Sequence, residues 1–132
     1  MMKFSELRKQ LEKDCELSIE SLEMDSLRVP YKASKYINML FDAKFELNQE
    51  EIKYKSLYKK KFEHYKVEYQ IKLNAAELNN IIESDDQMLK LQANIILFRQ
   101  KVEFLEHALK TVQNQSFNIK NAIEMIKYKN GG

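Results

Sequence analysis

The chain has 132 residues, a mass of 15.8 kDa and a formal charge of +2, with 44% hydrophobic and 32% charged residues. This is enough for one folded, helix-rich domain with its own core, and it excludes a disordered or low-complexity chain. Cys15 is the only cysteine, which excludes an intrachain disulfide, and no apolar run approaches the ~18 residues of a membrane span; with no secretory h-region at the start, the expected location is the cytosol.

Glycine occurs only at positions 131 and 132 and proline only at Pro30, so long helices are expected. Residues 3–14 place Phe4, Leu7 and Leu11 on one helical face, the pattern of a short amphipathic helix. Residues 16–29 mix alternation at Leu17 and Ile19 with acidic residues, and fit extended chain, loose helix or both. Pro30 disfavours helix at Val29 and suits a first helical turn, so a second helix is predicted to start there and run to about residue 82.

Within that helix Tyr54, Tyr58, Phe62, Tyr65 and Tyr69 recur at spacings of four, four, three and four. They form one stripe roughly 80° wide. Lys55, Lys59 and Lys66 flank one side, Lys53 and Lys60 the other, and Lys61 projects near its edge. The segment 53–72 carries seven lysines against two glutamates, a local excess of +5, so the rest of the chain sums to −3. The positive field is therefore local.

"ESDDQ" at 83–87 signals a new helix, with Ser84 as N-cap, Asp85 and Asp86 in the first turn and Gln87 at the capping-box position. A heptad seam follows: Met88, Ile95, Val102, Leu109, Ser116 and Ile123 at a, and Leu91, Phe98, Leu105, Val112, Ile119 and Ile126 at d. A second apolar band at Leu89, Ile96, Leu97, Phe104, Phe117 and Met125 makes the helix apolar on two faces. In so short a chain the second neighbour is expected to be another subunit. The oligomer-forming set is Leu91, Ile95, Ile96, Phe98, Val102, Phe104, Leu105, Leu109 and Val112.

No catalytic arrangement emerges. Without an internal glycine there is no loop whose backbone can cradle phosphates, which excludes Walker and Rossmann sites. His64 and His107 lack metal-ligand spacings, Cys15 has no base and orienting partner, and Asp85 with Asp86 reads as a helix cap rather than a catalytic pair. No cofactor, metal or enzymatic activity is expected. The lysine segment is either a solvated helix face or a track for a nucleic-acid backbone, with an aromatic stacking on the exposed bases of a single strand. The candidate contacts are Lys59, Lys60, Lys61, Phe62, Lys55, Lys66 and Tyr58. Nothing among them reads base sequence.

The order of "LYKKKFEHY", "FLEHAL" and "FNIKNAIEMIKYKNG", with "RKQLEKD" near the start and the spacing of "YINML", resembles the UvsY recombination mediators of T-even-type bacteriophages over most of the chain. The resemblance implies a small, helical, ring-forming, heptamer-like homo-oligomer in the cytoplasm of an infected bacterium. Its partners would be single-stranded DNA, a phage single-strand-binding protein that it loosens, and a phage recombinase that it helps to load. The family's DNA-binding run of Lys, any residue, Arg and Leu falls on Lys59, Lys60, Lys61 and Phe62. Lysine at 61 keeps the charge but loses arginine's planar fork, and phenylalanine replaces leucine.

The expectation is thus an all-α single domain. Residues 1–82 form its DNA-binding half and 84–128 its assembly helices. The competing reading is a structural helical adaptor that binds no DNA.

Overall fold

The computed structural model describes residues 3–68 and 73–131, and the structure of those residues is helical throughout its regular elements. The helices are α1 (Phe4–Asp14), α2 (Leu22–Glu68), α3 (Ala75–Glu83), α4 (Asp86–Gln113) and α5 (Gln115–Lys129), with a 3₁₀ turn at Ile19–Ser21. The chain divides into two compact units: Met1–Asp42 with Lys101–Gly132, and Ala43–Gln100.

The first unit is organised by the end of α1. Leu7 is buried, and Phe4 meets Phe104 edge-on with ring centroids 6.1 Å apart. Asp14 is itself buried. Its Oδ2 accepts from Tyr36 Oη at 2.9 Å, Gln10 Nε2 at 3.2 Å and Lys35 Nζ at 2.5 Å, while its carbonyl accepts from Lys32 Nζ at 2.8 Å and Gln115 Nε2 at 2.7 Å. The last carbonyls of a helix have no partner within it, so Lys32 and Gln115 act as side-chain caps. Burial works to raise the Asp14 pKa, but hydrogen bonds from Lys35, Tyr36 and Gln10 hold it below the ordinary value of 3.8. Burial and donation to Asp14 push the Tyr36 hydroxyl up.

Helix α2 starts eight residues before the predicted point, and Pro30 lies inside it. An interior proline forfeits one backbone hydrogen bond and costs about 3 kcal/mol. Tertiary packing offsets that cost. Leu22 and Val29 are buried against Ile119 of α5, with Ala122, Ile123 and Ile126 packed around them, and each such side chain contributes about 1.5–3 kcal/mol. Asp25, also buried, accepts from Ser18 N at 3.3 Å and Ser21 Oγ at 3.0 Å, fastening the helix start.

The second unit contains the rest of α2, then α3 and the first half of α4. The predicted single helix to residue 82 is replaced by a fresh start at Asn74. Its side chain accepts from Glu77 N at 2.8 Å while Glu77 Oε2 accepts from Asn74 N at 3.4 Å, a reciprocal capping box. Leu78 and Ile82 of α3 join Met88 in a buried cluster, against which Tyr54, Leu57, Tyr58, Tyr65 and Leu73 pack. The next cap is Asp85 rather than Ser84: Asp85 Oδ1 accepts from Gln87 N at 3.0 Å and Met88 N at 3.4 Å. Ser84 instead donates to the Asn80 and Ile81 carbonyls at the end of α3.

The predicted seam is partly re-registered. Met88, Ile95, Leu105, Val112 and Ile119 are buried, but beyond Val102 the a positions give way to their preceding neighbours: Ala108 and Gln115 are buried, Leu109 is half-buried and Ser116 is exposed. A straight helix drifts relative to a seven-residue repeat, and the turn at Asn114 separates α4 from α5.

Candidate nucleic-acid interface

On α2, Lys55, Lys59, Phe62 and Lys66 follow one another at spacings of four, three and four, and all four are exposed. At 1.5 Å rise per residue this row covers roughly 16 Å of one helix face. Tyr54, Leu57, Tyr58 and Tyr65 lie on the adjacent face and pack against the Leu78, Ile82 and Met88 cluster. The aromatic stripe is therefore split. Tyr58 is half-buried and donates to Asn79 Oδ1 at 2.6 Å, and Tyr65 donates to Asp85 Oδ2 at 2.5 Å. Phe62 faces outward, 37% exposed, with Lys66 Nζ 5.8 Å from its ring centroid.

The three consecutive lysines also separate. Lys59 and Lys60 point to solvent on different sides of the helix, whereas Lys61 lies on the packed side. Its Nζ is 3.3 Å from Asp85 Oδ2, with side-chain exposures of 19% and 9%. The Tyr65 hydroxyl, Lys61 and the Gln87 and Met88 amides together hold the Asp85 pKa below its ordinary value. The sequence contained Asp85 and Lys61 but gave no sign of their pairing, because it arises from the packing of α3 and the start of α4 against α2. Tyr69 and Lys72 of the expected stripe and cluster lie outside the described residues.

The oligomer candidates divide in the same manner. Ile95, Leu105 and Val112 are buried within the protomer, Leu91, Phe98, Val102 and Leu109 are half-buried, and Phe104 packs on Phe4. Those positions are buried or half-buried within the protomer. Ile96, Leu89 and Leu97 remain about half exposed. An unexpected apolar row appears on α2, where Leu27, Tyr31 and Phe41 are 65–75% exposed on one face. Its spacing runs through Ser34 and Asn38, whose polarity concealed it.

Among the described residues, no group of three or more His, Cys, Asp and Glu side chains could hold a metal ion, and no helix is long and apolar enough to cross a membrane. The described residues thus define a small all-helical protein with an exposed lysine row on its longest helix. Residues 10–132 match the family described as the recombination, repair and single-stranded DNA-binding protein UvsY, and the chain belongs to that family. Crystal structures of the recombination mediator protein UvsY of bacteriophage T4 share the fold: one has a TM-score of 0.89 at 23% identity, covering 97% of this chain and 99% of that one. A second crystal form gives 0.84 at 18% identity, covering 98% of each chain. No curated protein matches the sequence.

Proposed function

We propose that this chain is a phage recombination mediator. It binds single-stranded DNA without sequence preference, loosens a single-strand-binding protein from that DNA, and promotes loading of the phage recombinase in the cytoplasm of the infected bacterium. Family membership supports the class of activity, and the observation that carries the site is the exposed row Lys55, Lys59, Phe62 and Lys66. Its lysines neutralise successive phosphates, and Phe62 offers a face to a base. Lys60 adds to the field from the side of the helix. Tyr58 supports the row from beneath, and Lys61 reaches the strand only by giving up Asp85.

The working form in this reading is a ring-shaped homo-oligomer of heptamer-like size. Weak contacts from one row become useful when several rows face one strand, because each later contact forms at high effective concentration. The exposed Leu89 and Leu97, with the Leu27, Tyr31 and Phe41 face, support such assembly.

The test is oligothymidylate binding across a salt series for the wild type and a Lys59→Ala, Lys66→Ala variant. Two lost phosphate contacts flatten the slope of log K against log salt by roughly 1.4, at about 0.7 per phosphate on a single strand. A wild type that ignores the oligonucleotide would overturn the mediator reading and leave the structural adaptor.

A further inference from the structure

The row described above lies on α2 alone, yet a groove runs beside it between α2 and α4 within the unit Ala43–Gln100. Its volume is about 460 Å³, inside the ~300–1,000 Å³ span of small-molecule sites. Ile95, 6% exposed, forms an apolar floor, and Tyr54 and Ile96 form the walls. Burial, with Glu83 and Tyr58 nearby, raises the Tyr54 pKa, so this wall stays neutral beside any phosphate.

The rim is polar, with two cations against the one carboxylate of Glu51. Lys55, the first residue of the row, stands on α2, while Gln92 and Arg99 stand on α4. Arg99 Nη2 lies 3.4 Å from Glu51 Oε1, with side chains 62% and 38% exposed. Such an exposed pair is weak, and it is made through one of the guanidinium's nitrogens. A phosphate arriving at the rim would gain a bidentate, charge-assisted contact that this pair does not provide.

We propose that the groove is a nucleotide subsite for single-stranded DNA, in which a base rests between Tyr54 and Ile96 while Lys55 and Arg99 hold the flanking phosphates. The inference rests on the DNA-binding reading and extends the strand's path from α2 onto α4. Gln92 carries both a donor and an acceptor, so it satisfies the edge of any base and preserves sequence tolerance. The apolar walls likewise accept every base, because each has a π-face. Arg99 and Gln92 were absent from the sequence-based candidates because they lie on a later helix, well beyond the lysine segment 53–72.

The experiment uses the full chain with an oligothymidylate carrying iododeoxyuridine, irradiated so that a base in contact with an aromatic side chain becomes cross-linked to it. Mapping by mass spectrometry is expected to find the adduct on Tyr54, and Arg99→Gln is expected to flatten the salt slope by about 0.7. Sedimentation of Arg99→Gln confirms that its assembly matches the wild type. Adducts confined to other residues, or an Arg99→Gln slope equal to wild type, overturn the groove while the Lys59→Ala, Lys66→Ala effect still upholds DNA binding. Loss of that latter effect strikes the parent reading instead.

Discussion

Lys61 on α2 and Asp85 at the start of α4 form an ion pair whose Nζ to Oδ2 distance is 3.3 Å, and the same carboxylate caps α4 through its other oxygen. One residue thus neutralises the most inward of the three lysines and starts a helix. Asp85→Asn keeps an acceptor for the Gln87 amide but releases the lysine's charge. We expect tighter oligothymidylate binding with a salt slope steeper by about 0.7, together with a stability loss of about 1–3 kcal/mol from the weakened network. Unchanged binding would show that Lys61 stays on the packed side of α2 when DNA is bound.

Among the described aromatics of the stripe, Phe62 is the exposed one, and Tyr54, Tyr58 and Tyr65 are packed. Its truncation in Phe62→Ala should weaken single-strand binding by about 1–3 kcal/mol and leave the melting temperature nearly unchanged. Tyr65→Phe should behave oppositely, because it removes a hydrogen bond to Asp85 at the edge of the core cluster. Thermal unfolding and titration of the two variants side by side separate stacking from packing.

Asp14 and Asp85 both titrate below 3.8 in the folded chain. A carboxyl whose folded pKa is lowered contributes stability that is present above its unfolded value and lost as pH falls through the folded one. Stability should therefore hold from neutrality down to about pH 5 and then fall steeply below about pH 4. Asp14→Asn should flatten that acid limb, and Tyr36→Phe should cost about 1–3 kcal/mol at neutral pH by removing a donor from a buried acceptor. Urea unfolding across a pH series measures both.

Leu89 and Leu97 of α4 do not line the groove, and both are about half exposed. In Leu89→Glu with Leu97→Glu the helix content should be retained while sedimentation drops to that of a single chain. An unaltered assembly would move the contact elsewhere, and the Leu27, Tyr31 and Phe41 face would be the next surface to charge.

Periodicity carried most of the fold. The Phe4, Leu7 and Leu11 spacing marked α1, and Met88, Ile95, Leu105, Val112 and Ile119 were legible as core because apolar spacing survives whatever partner they meet. Pro30 misled because its local preference is worth less than the burial of Leu22 and Val29 against Ile119, a residue ninety positions away. The break before Asn74 went unread although Asn74 and Glu77 stand at capping-box spacing, since no glycine or proline announced it. At the candidate interface the sequence delivered a basic segment but could not sort it. Which lysine faces outward depends on which side of α2 is covered by α3 and the start of α4, and only the packed structure reveals that Lys61 lies on that side and Lys59 does not.

The hydrogen bond from Gln115 to the Asp14 carbonyl spans 101 positions, and its consequence concerns the order of events during synthesis. The unit Ala43–Gln100 is a single stretch of chain whose hairpin-like contacts can form as soon as it emerges. The other unit is assembled from both ends, so α1 and the beginning of α2 must wait, with the Asp14 carbonyl uncapped by Gln115, until α5 arrives. During that interval Leu22 and Val29 lack Ile119. The early portion of the chain is thus the last to lock, and premature termination near position 114 would leave its apolar surface uncovered.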